Sequence, residues 1–330
     1  MRTLFVTGGA GFIGSAFIRL ALAELPGVTI VNFDALTYAG NIDNLAGLDA
    51  RRHRFVQGDI TDHRAVLAAL RTDTDAIVHL AAESHVDRSI ASADAFLRTN
   101  VLGTQILIDA ARQRRVGRFL HVSTDEVMGS LPDDDRVFFT ETSPFAPNSP
   151  YAASKASAEH LVRAARSTFG LETLITRCGN NYGPRQFPEK FIPLLITNAL
   201  RDEALPVYGD GRQVRDWIYV DDHCRALLAV LTKGRPGSLY NVGARSPRRN
   251  LDVVESVLQI LGKPRSLIRH VADRLGHDRR YAIDPSRIEH DLRWRPRETW
   301  QSGLAKTIRW YQANPDWIEH ARMNVESLAA

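Results

Sequence analysis

Short apolar runs rich in β-branched residues recur through the first half of the chain, at Thr3–Thr7, Thr29–Phe33, Arg54–Val56, Ala76–His79 and Phe119–Val122. Each has the length and composition of a strand buried on both faces. Between them lie longer stretches with apolar positions at helical spacing, Phe12–Ala23, His63–Arg71 and Ala93–Arg114. A further helix over Ala152–Phe169 leads into a sixth strand at Glu172–Arg177. Strand and helix in alternation predict an α/β fold, a doubly wound parallel sheet with helices on both faces.

Beyond Arg177 the pattern loosens, and Pro and Gly punctuate residues 180–193, 204–211, 234–237 and 243–247. Helical spacing returns at Phe191–Asp202, Val220–Leu231, Leu251–Leu261, Pro285–Leu292 and Gln301–Ala313. The shift predicts a first domain over residues 1–178, with returning segments near 215–243. A smaller, interleaved C-terminal domain over 179–330 would bind a substrate.

The turn after the first strand reads Thr7-Gly8-Gly9-Ala10-Gly11-Phe12-Ile13-Gly14, with Gly8, Gly11 and Gly14 in GxxGxxG spacing. Glycines allow the tight turn and bring backbone N–H groups up to a pyrophosphate at the positive end of the following helix. Asp34 stands twenty residues past Gly14, at the end of the second strand. A carboxylate there bonds ribose hydroxyls and repels a 2′-phosphate, and Ala35 supplies no compensating charge, so the expected cofactor is NAD on a Rossmann-type sheet. Asp59, after the third strand, reads equally as a contact to adenine or as a turn residue.

Tyr151 and Lys155 lie four residues apart on one helix face. A phenol beside a cation is a plausible base for an alcohol proton during hydride transfer. Ser123-Thr124-Asp125-Glu126 closes the fifth strand, and ligand sites in such sheets lie beyond the carboxyl ends of the strands. Oxidation of an alcohol needs one hydroxyl to polarise the oxygen. Two adjacent carboxylates suit a second task, removal of a carbon-bound proton by one and protonation of a departing hydroxyl by the other.

Composition trims the alternatives. No apolar run approaches the roughly 18 residues of a membrane span. Met1-Arg2-Thr3-Leu4 runs straight into the first strand, leaving no room for a cleavable leader. Two cysteines, Cys178 and Cys224, make neither a disulfide framework nor a four-ligand metal site, and the expected location is cytoplasmic. The net charge of +4 conceals five lysines against thirty-seven arginines. That excess raises nucleic acid as a partner, but no nucleic-acid motif accompanies it, and arginine equally serves phosphate ligands or a solvated surface.

The segments TGGAGFIGS, FDALTYAGN, GDITD, HLAAESHVDRSI, NVLGT, HVSTDEV, SPYAASKA, NNYGPRQFPEKFIP, LPVYGDG, VRDWIYVDDH and DRLGHDRRYAID together resemble the extended short-chain dehydrogenase/reductase family of NAD-dependent epimerases and dehydratases, and within it the dTDP-glucose 4,6-dehydratases. The resemblance covers nearly the whole chain. It implies a lyase that oxidises a nucleotide-activated hexose at C4, eliminates water across C5 and C6, and reduces C6 with bound NAD. Thr124, Asp125, Glu126, Tyr151 and Lys155 would be catalytic, with Lys155 also lowering the phenol pKa. Gly8, Gly11, Phe12, Ile13, Gly14, Asp34, Ala35, Leu36, Thr37, Asp59, Ile60, Leu80, Ala81, Ala82, Thr99, Tyr151, Lys155 and Asn181 would contact NAD. Glu83, Ser84, Thr124, Asn180, Lys190, Phe191, Pro206, Val207, Tyr208, Arg215, Asn250, Arg274 and His277 would hold the nucleotide sugar. The resemblance also implies a homodimer, with the helices over 93–114 and 152–169 paired across it. Arg248, Arg249 and Arg280 read as solvated surface charges.

Three places depart from the family pattern. Position 128 is Met where the family usually has Tyr, residues 243–248 read Gly-Ala-Arg-Ser-Pro-Arg, and Arg185 interrupts YGPRQ. If the chain stays extended past the fifth strand, Thr124, Glu126 and Met128 share a side. A packing change, a different hexose and a different base then all remain open, and with them a dehydratase or epimerase of another nucleotide sugar. A scaffold that kept the fold and lost the chemistry would not need the Thr-Asp-Glu and Tyr-Lys sets intact.

Overall fold

The computed structural model describes residues 1–329, with side chains through residue 323. Seven strands form one parallel sheet: β1 (Thr3–Thr7), β2 (Thr29–Asp34), β3 (His53–Gln57), β4 (Ala76–His79), β5 (Arg118–Thr124), β6 (Thr173–Cys178) and, after a long excursion, β10 (Leu239–Val242). Their order is β10-β6-β5-β4-β1-β2-β3, and every neighbouring pair is parallel. The chain winds outward from β1 to β3 and then restarts at β4 on the other flank. A crevice opens between β1 and β4 where the order reverses.

One apolar cluster packs beneath the sheet around Leu4, Phe17, Leu120 and Leu227, and another packs above it around Phe5, Phe33, Leu107 and Val162. Both faces are therefore covered, as the burial of the central strands requires.

The remaining strands are β7 (Asn180–Tyr182), β8 (Leu205–Tyr208), β9 (Val214–Tyr219), β11 (Pro247–Arg249) and β12 (Ile268–Val271). They make a three-stranded sheet, β11-β9-β7, and a parallel pair, β12 with β8. A further apolar cluster gathers there around Tyr182, Trp217, Trp300, Leu304 and Tyr311.

The helices follow the expected order with shifted ends: Phe12–Glu24, His63–Ala69, Pro150–Phe169, Phe191–Leu200, Val220–Lys233, Asn250–Leu261, Ser286–Leu292 and Trp300–Ala313. Val86–Ala91 and Pro315–Ala329 are helices that the apolar pattern did not announce. The predicted single helix over 93–114 is interrupted. Asp94–Phe96 passes into a wider π-helical segment, Leu97–Gly103, before Thr104–Arg114 resumes the α-helix. Gly103 faces Ile60 so closely that a Cβ would stand 2.6 Å from its side chain. Nor is Arg280 a surface charge. It is fully buried, and its guanidinium donates to the Val137 carbonyl at 2.7 Å. None of the described helices is long and apolar enough to cross a membrane.

Candidate active site

The carboxyl ends of β1, β4, β5 and β6 converge on a cleft of about 350 Å³. The glycine turn forms one wall. Gly8 has φ +73°, and a Cβ there would meet the Ala81 backbone nitrogen at 2.6 Å, so the turn presses directly on the end of β4. A Cβ on Gly14 would run into the Gly8 carbonyl. Asp34 accepts from the Ala10 N–H at 2.9 Å and the Leu36 N–H at 2.8 Å while facing the cleft. Burial raises its pKa, and those two backbone donors oppose the rise.

The opposite wall carries the candidate catalytic residues. A short 3₁₀ turn, Asp125–Met128, follows β5 immediately. It places Thr124, Asp125 and Glu126 around one point, with the Thr124 hydroxyl 3.3 Å from Asp125 Oδ1 and accepting from the Glu126 N–H at 3.3 Å. Asp125 is buried, and burial, the Glu126 charge and the Asp216 charge push its pKa well above the usual carboxyl range. Glu126 is raised by burial too, but the Arg215 and Arg274 guanidinium groups pull it back.

Tyr151 and Lys155 enter from the helix Pro150–Phe169, which Ser149 caps by accepting from the Ala152 N–H. Lys155 Nζ donates to the Val122 carbonyl at 2.8 Å, and burial lowers its pKa to about 8. The expected lowering of the phenol by Lys155 is not found. Burial and the charges of Glu126 and Asp125 drive Tyr151 well above its usual value, and the Thr124 hydroxyl opposes them.

Of the residues predicted to touch NAD, all but Leu36 line this cleft together with the reactive groups. Leu36, at φ +54°, instead contributes its backbone N–H to Asp34. Glu83, Ser84, Thr124, Asn180 and Lys190 line the cleft as well.

Phe191, Pro206, Val207, Tyr208, Arg215, Asn250, Arg274 and His277 do not line it. Val207 is buried in the apolar cluster of the C-terminal half, and Phe191 stacks on Trp217. Asn250 donates its backbone N–H to the Gln213 carbonyl at 2.9 Å. His277 pairs with Asp273 at 2.6 Å, next to the Tyr208 ring. Arg215, stacked on Tyr281 and donating to the Asp278 carbonyl at 3.0 Å, reaches the site through its charge.

A family model described as GDP-mannose 4,6 dehydratase matches residues 5–307. A curated dTDP-glucose 4,6-dehydratase of Xanthomonas campestris is 52% identical, over 97% of this chain and 95% of its own length. One of Escherichia coli is 49% identical over the same shares. The chain belongs to the dTDP-glucose 4,6-dehydratase family. Within that family, the crystal structure of the Streptomyces venezuelae enzyme with NAD bound superposes at a TM-score of 0.93, with 51% identity over 97% of this chain and 99% of that one. A UDP-glucose 4-epimerase of Thermus thermophilus shares the fold at 0.87 but only 30% identity, over 94% of this chain and 99% of that one.

Set against the family pattern, the three departures in this dehydratase chain lie off the cleft. The 3₁₀ turn breaks the extended run on which Met128 would have faced the sugar. Met128 is 3% exposed and packs with Val127, Leu131, Phe139 and Ala156. Arg245 swings away to Asp284 and Glu289, at 3.3 and 3.1 Å. Arg185 lies over Trp310.

The structure also supplies a residue that sequence reasoning missed, Asn100, in the middle of the π-helical segment. Its amide donates to the Glu83 carbonyl at 3.0 Å and to Ser154 Oγ at 2.8 Å, and accepts from the Glu83 N–H at 2.9 Å. It thereby fastens the edge of the cleft to the helix that carries Tyr151 and Lys155. The motif NVLGT was its signal, although nothing in the spacing disclosed its partners.

Proposed function

We infer that this chain is a hydro-lyase that converts dTDP-glucose into its 4-keto-6-deoxy product. The observation that carries the reading is the placing of two adjacent buried carboxyl groups beside a Thr–Tyr–Lys set in unlike surroundings, Asp125 pushed well above the usual carboxyl range by burial and by the charges of Glu126 and Asp216, and Glu126 raised by burial against the pull of Arg215 and Arg274. Titratable neighbours pushed apart in this way are suited to acid and base work at one pH.

The residues of the cleft fit NAD. The glycine turn leaves its backbone uncovered, Asp34 faces the ribose position, and the buried Ser123 Oγ, Asn180 Oδ1 and Gln186 Oε1 in the wall have no protein partner. Bound there, NAD would supply a two-electron acceptor for oxidation at C4 and the same two electrons for reduction at C6, which makes the overall reaction redox-neutral. The fold by itself holds the Tyr151 phenol protonated, and the positive charge that bound NAD would bring beside it favours the phenolate; Tyr151 then takes the C4 hydroxyl proton while Thr124 Oγ1 bonds the same oxygen. The resulting ketone acidifies the C5 hydrogen, which Glu126 removes. Asp125 delivers its proton to the C6 oxygen, and water leaves; as C6 is reduced, Glu126 returns its proton to C5. Lys155 orients the nicotinamide ribose. Lys190, Arg215 and Arg274 supply the cationic surround for a nucleotide diphosphate.

Residues 1–178 with β10 would serve the dinucleotide, and most of 179–330 the sugar nucleotide. Leu97 and Leu102, 52% and 46% exposed on the helical stretch beside the cleft, support a homodimer formed through that stretch and the helix Pro150–Phe169. Two buried free thiols are in keeping with a reducing cytoplasm.

The test is direct. Purified protein is incubated with dTDP-glucose and no added reductant, and a product lighter by one water is sought by mass. Turnover of a UDP-hexose with none of dTDP-glucose would overturn the assignment of the nucleotide.

A further inference from the structure

The mechanism leaves the helix Pro315–Ala329 without a role, yet a line of hydrogen bonds runs from it to the glycine turn. Trp317 is buried against Trp310 and Tyr311. Its indole Nε1 donates to Asn44 Oδ1 at 3.0 Å. Asn44 is 1% exposed, and its Nδ2 donates to the Ala10 carbonyl at 2.9 Å. Ala10 lies inside the turn between Gly8 and Gly14. Its carbonyl takes a second bond from the Asn41 N–H at 3.1 Å, which fills both lone pairs.

The consequence follows from peptide planarity. The Ala10 carbonyl shares its plane with the Gly11 N–H, so fixing the one fixes the other. The preceding plane is fixed in turn by the Ala10 N–H donating to Asp34 at 2.9 Å. Asp34 thus holds the plane before Ala10, and Asn44 is the side chain that holds the plane after it, together with the Asn41 N–H on the Ala10 carbonyl and the Gly11 N–H donating to the Gly8 carbonyl at 3.2 Å. Asp34 does so from the neighbouring strand, whereas Asn44 relays the position of a helix some 270 residues further on. That helix is tied to the same loop by His320 on Asp43 at 3.3 Å, and to the helix Phe191–Leu200 by Arg322 on Thr197 at 3.3 Å.

We propose that Asn44 is a positioning residue for the dinucleotide turn, and that the helix Pro315–Ala329 sets the affinity for NAD through it. The proposal rests on the reading of the cleft as an NAD site.

The experiment compares the full-length protein with Asn44→Ala, Trp317→Phe and the double variant, each stripped of nucleotide. Calorimetric titrations use NAD, then ADP-ribose, then dTDP as probes. One lost hydrogen bond at a buried site corresponds to roughly a fivefold to tenfold weaker NAD and ADP-ribose for Asn44→Ala. A smaller loss is expected for Trp317→Phe, with the double variant no worse than Asn44→Ala because both act along one line. Affinity for dTDP should stay within about twofold, a result that general loosening of the fold would not give. Unchanged NAD affinity in the variants overturns the proposal, as does an equal fall for dTDP. Should Asn44→Ala fail to fold, Trp317→Phe, which keeps an aromatic ring and removes the donor, decides alone. A wild-type protein that binds no NAD would refute the cofactor reading itself.

Discussion

Substitution of Gly8 by alanine separates two costs that usually arrive together. The residue sits at φ +73°, where a Cβ is strained, and the added carbon would also stand 2.6 Å from the Ala81 nitrogen and 2.7 Å from its Cα. Gly27 has nearly the same backbone, φ +78°, and a methyl group there would meet nothing within 4 Å. Gly27→Ala therefore measures strain alone, about 1–2 kcal/mol. Gly8→Ala adds a collision with backbone, which cannot rotate aside as a side chain would, worth roughly 1–3 kcal/mol more. The expected total is about 2–5 kcal/mol. Relief requires the turn and the end of β4 to part, and both line the cleft. Urea unfolding of the two variants gives the stability difference, and chromatography of nucleotide released on denaturation gives bound NAD. Gly8→Ala should be the less stable and carry little NAD, while Gly27→Ala keeps its complement. Equal midpoints, or full NAD in Gly8→Ala, would show that the close approach of turn to strand does not govern the site.

In Glu126→Gln, oxidation at C4 should survive while exchange of the C5 hydrogen with solvent deuterium and loss of water fall by about 10²–10⁴-fold; dehydration at the wild-type rate would remove Glu126 from its role. Because Arg215 holds Glu126 towards ionisation more strongly than Arg274 does, Arg215→Gln should move the acid limb of the pH–rate profile to higher pH, and Arg274→Gln should move it less. The reverse order would contradict the electrostatic assignment. The Lys155 ammonium has a pKa of about 8 in the fold against 10.5 in the open chain, so it costs the folded state stability below pH 8, and the cost fades as pH rises through 8 to 10.5. Lys155→Met should accordingly raise stability by roughly 2–3 kcal/mol at pH 7 and by progressively less in alkali; a gain independent of pH would disprove that origin. Finally, Leu97→Asp together with Leu102→Asp should yield a monomer in sedimentation, and an unaltered dimer would place the subunit contact elsewhere.

The sheet was legible because its central strands are buried throughout and leave short runs rich in apolar and β-branched residues, as at Thr3–Thr7 and Ala76–His79. Asp34 was legible from its distance to Gly14, since one strand and one helix set that spacing. Asn100 was not, because its partners Glu83 and Ser154 are brought to it by the fold from 17 and 54 residues away. The buried Arg280 escaped for the same reason, its main acceptor being 143 residues earlier in the chain. Val207 is different. In Leu205–Tyr208 burial alternates, with Leu205 and Val207 inward and Pro206 and Tyr208 outward. Strand periodicity alone argued against placing three consecutive residues on one pocket wall.

The same alternation bears on the acid and base roles proposed for Asp125 and Glu126. Asp125 and Glu126 are chain neighbours with nearly the same intrinsic acidity, and both are buried. Burial by itself would raise them together and leave no acid distinct from a base. Successive residues of β9 differ in charge, Arg215 followed by Asp216, and a strand turns successive side chains to opposite faces. At Asp125 the Glu126 charge is the foremost repulsion after burial; Asp216, itself pushed up to about 6 by burial, adds to it, and Arg215 gives the lesser, opposing pull. At Glu126, Arg215 is the foremost group favouring the charged form. Two adjacent positions on a strand from the second half of the chain thus bias two adjacent carboxyls at the end of β5 in opposite directions. Exchange of Arg215 for a neutral residue should then narrow the gap between acid and base chiefly by raising Glu126.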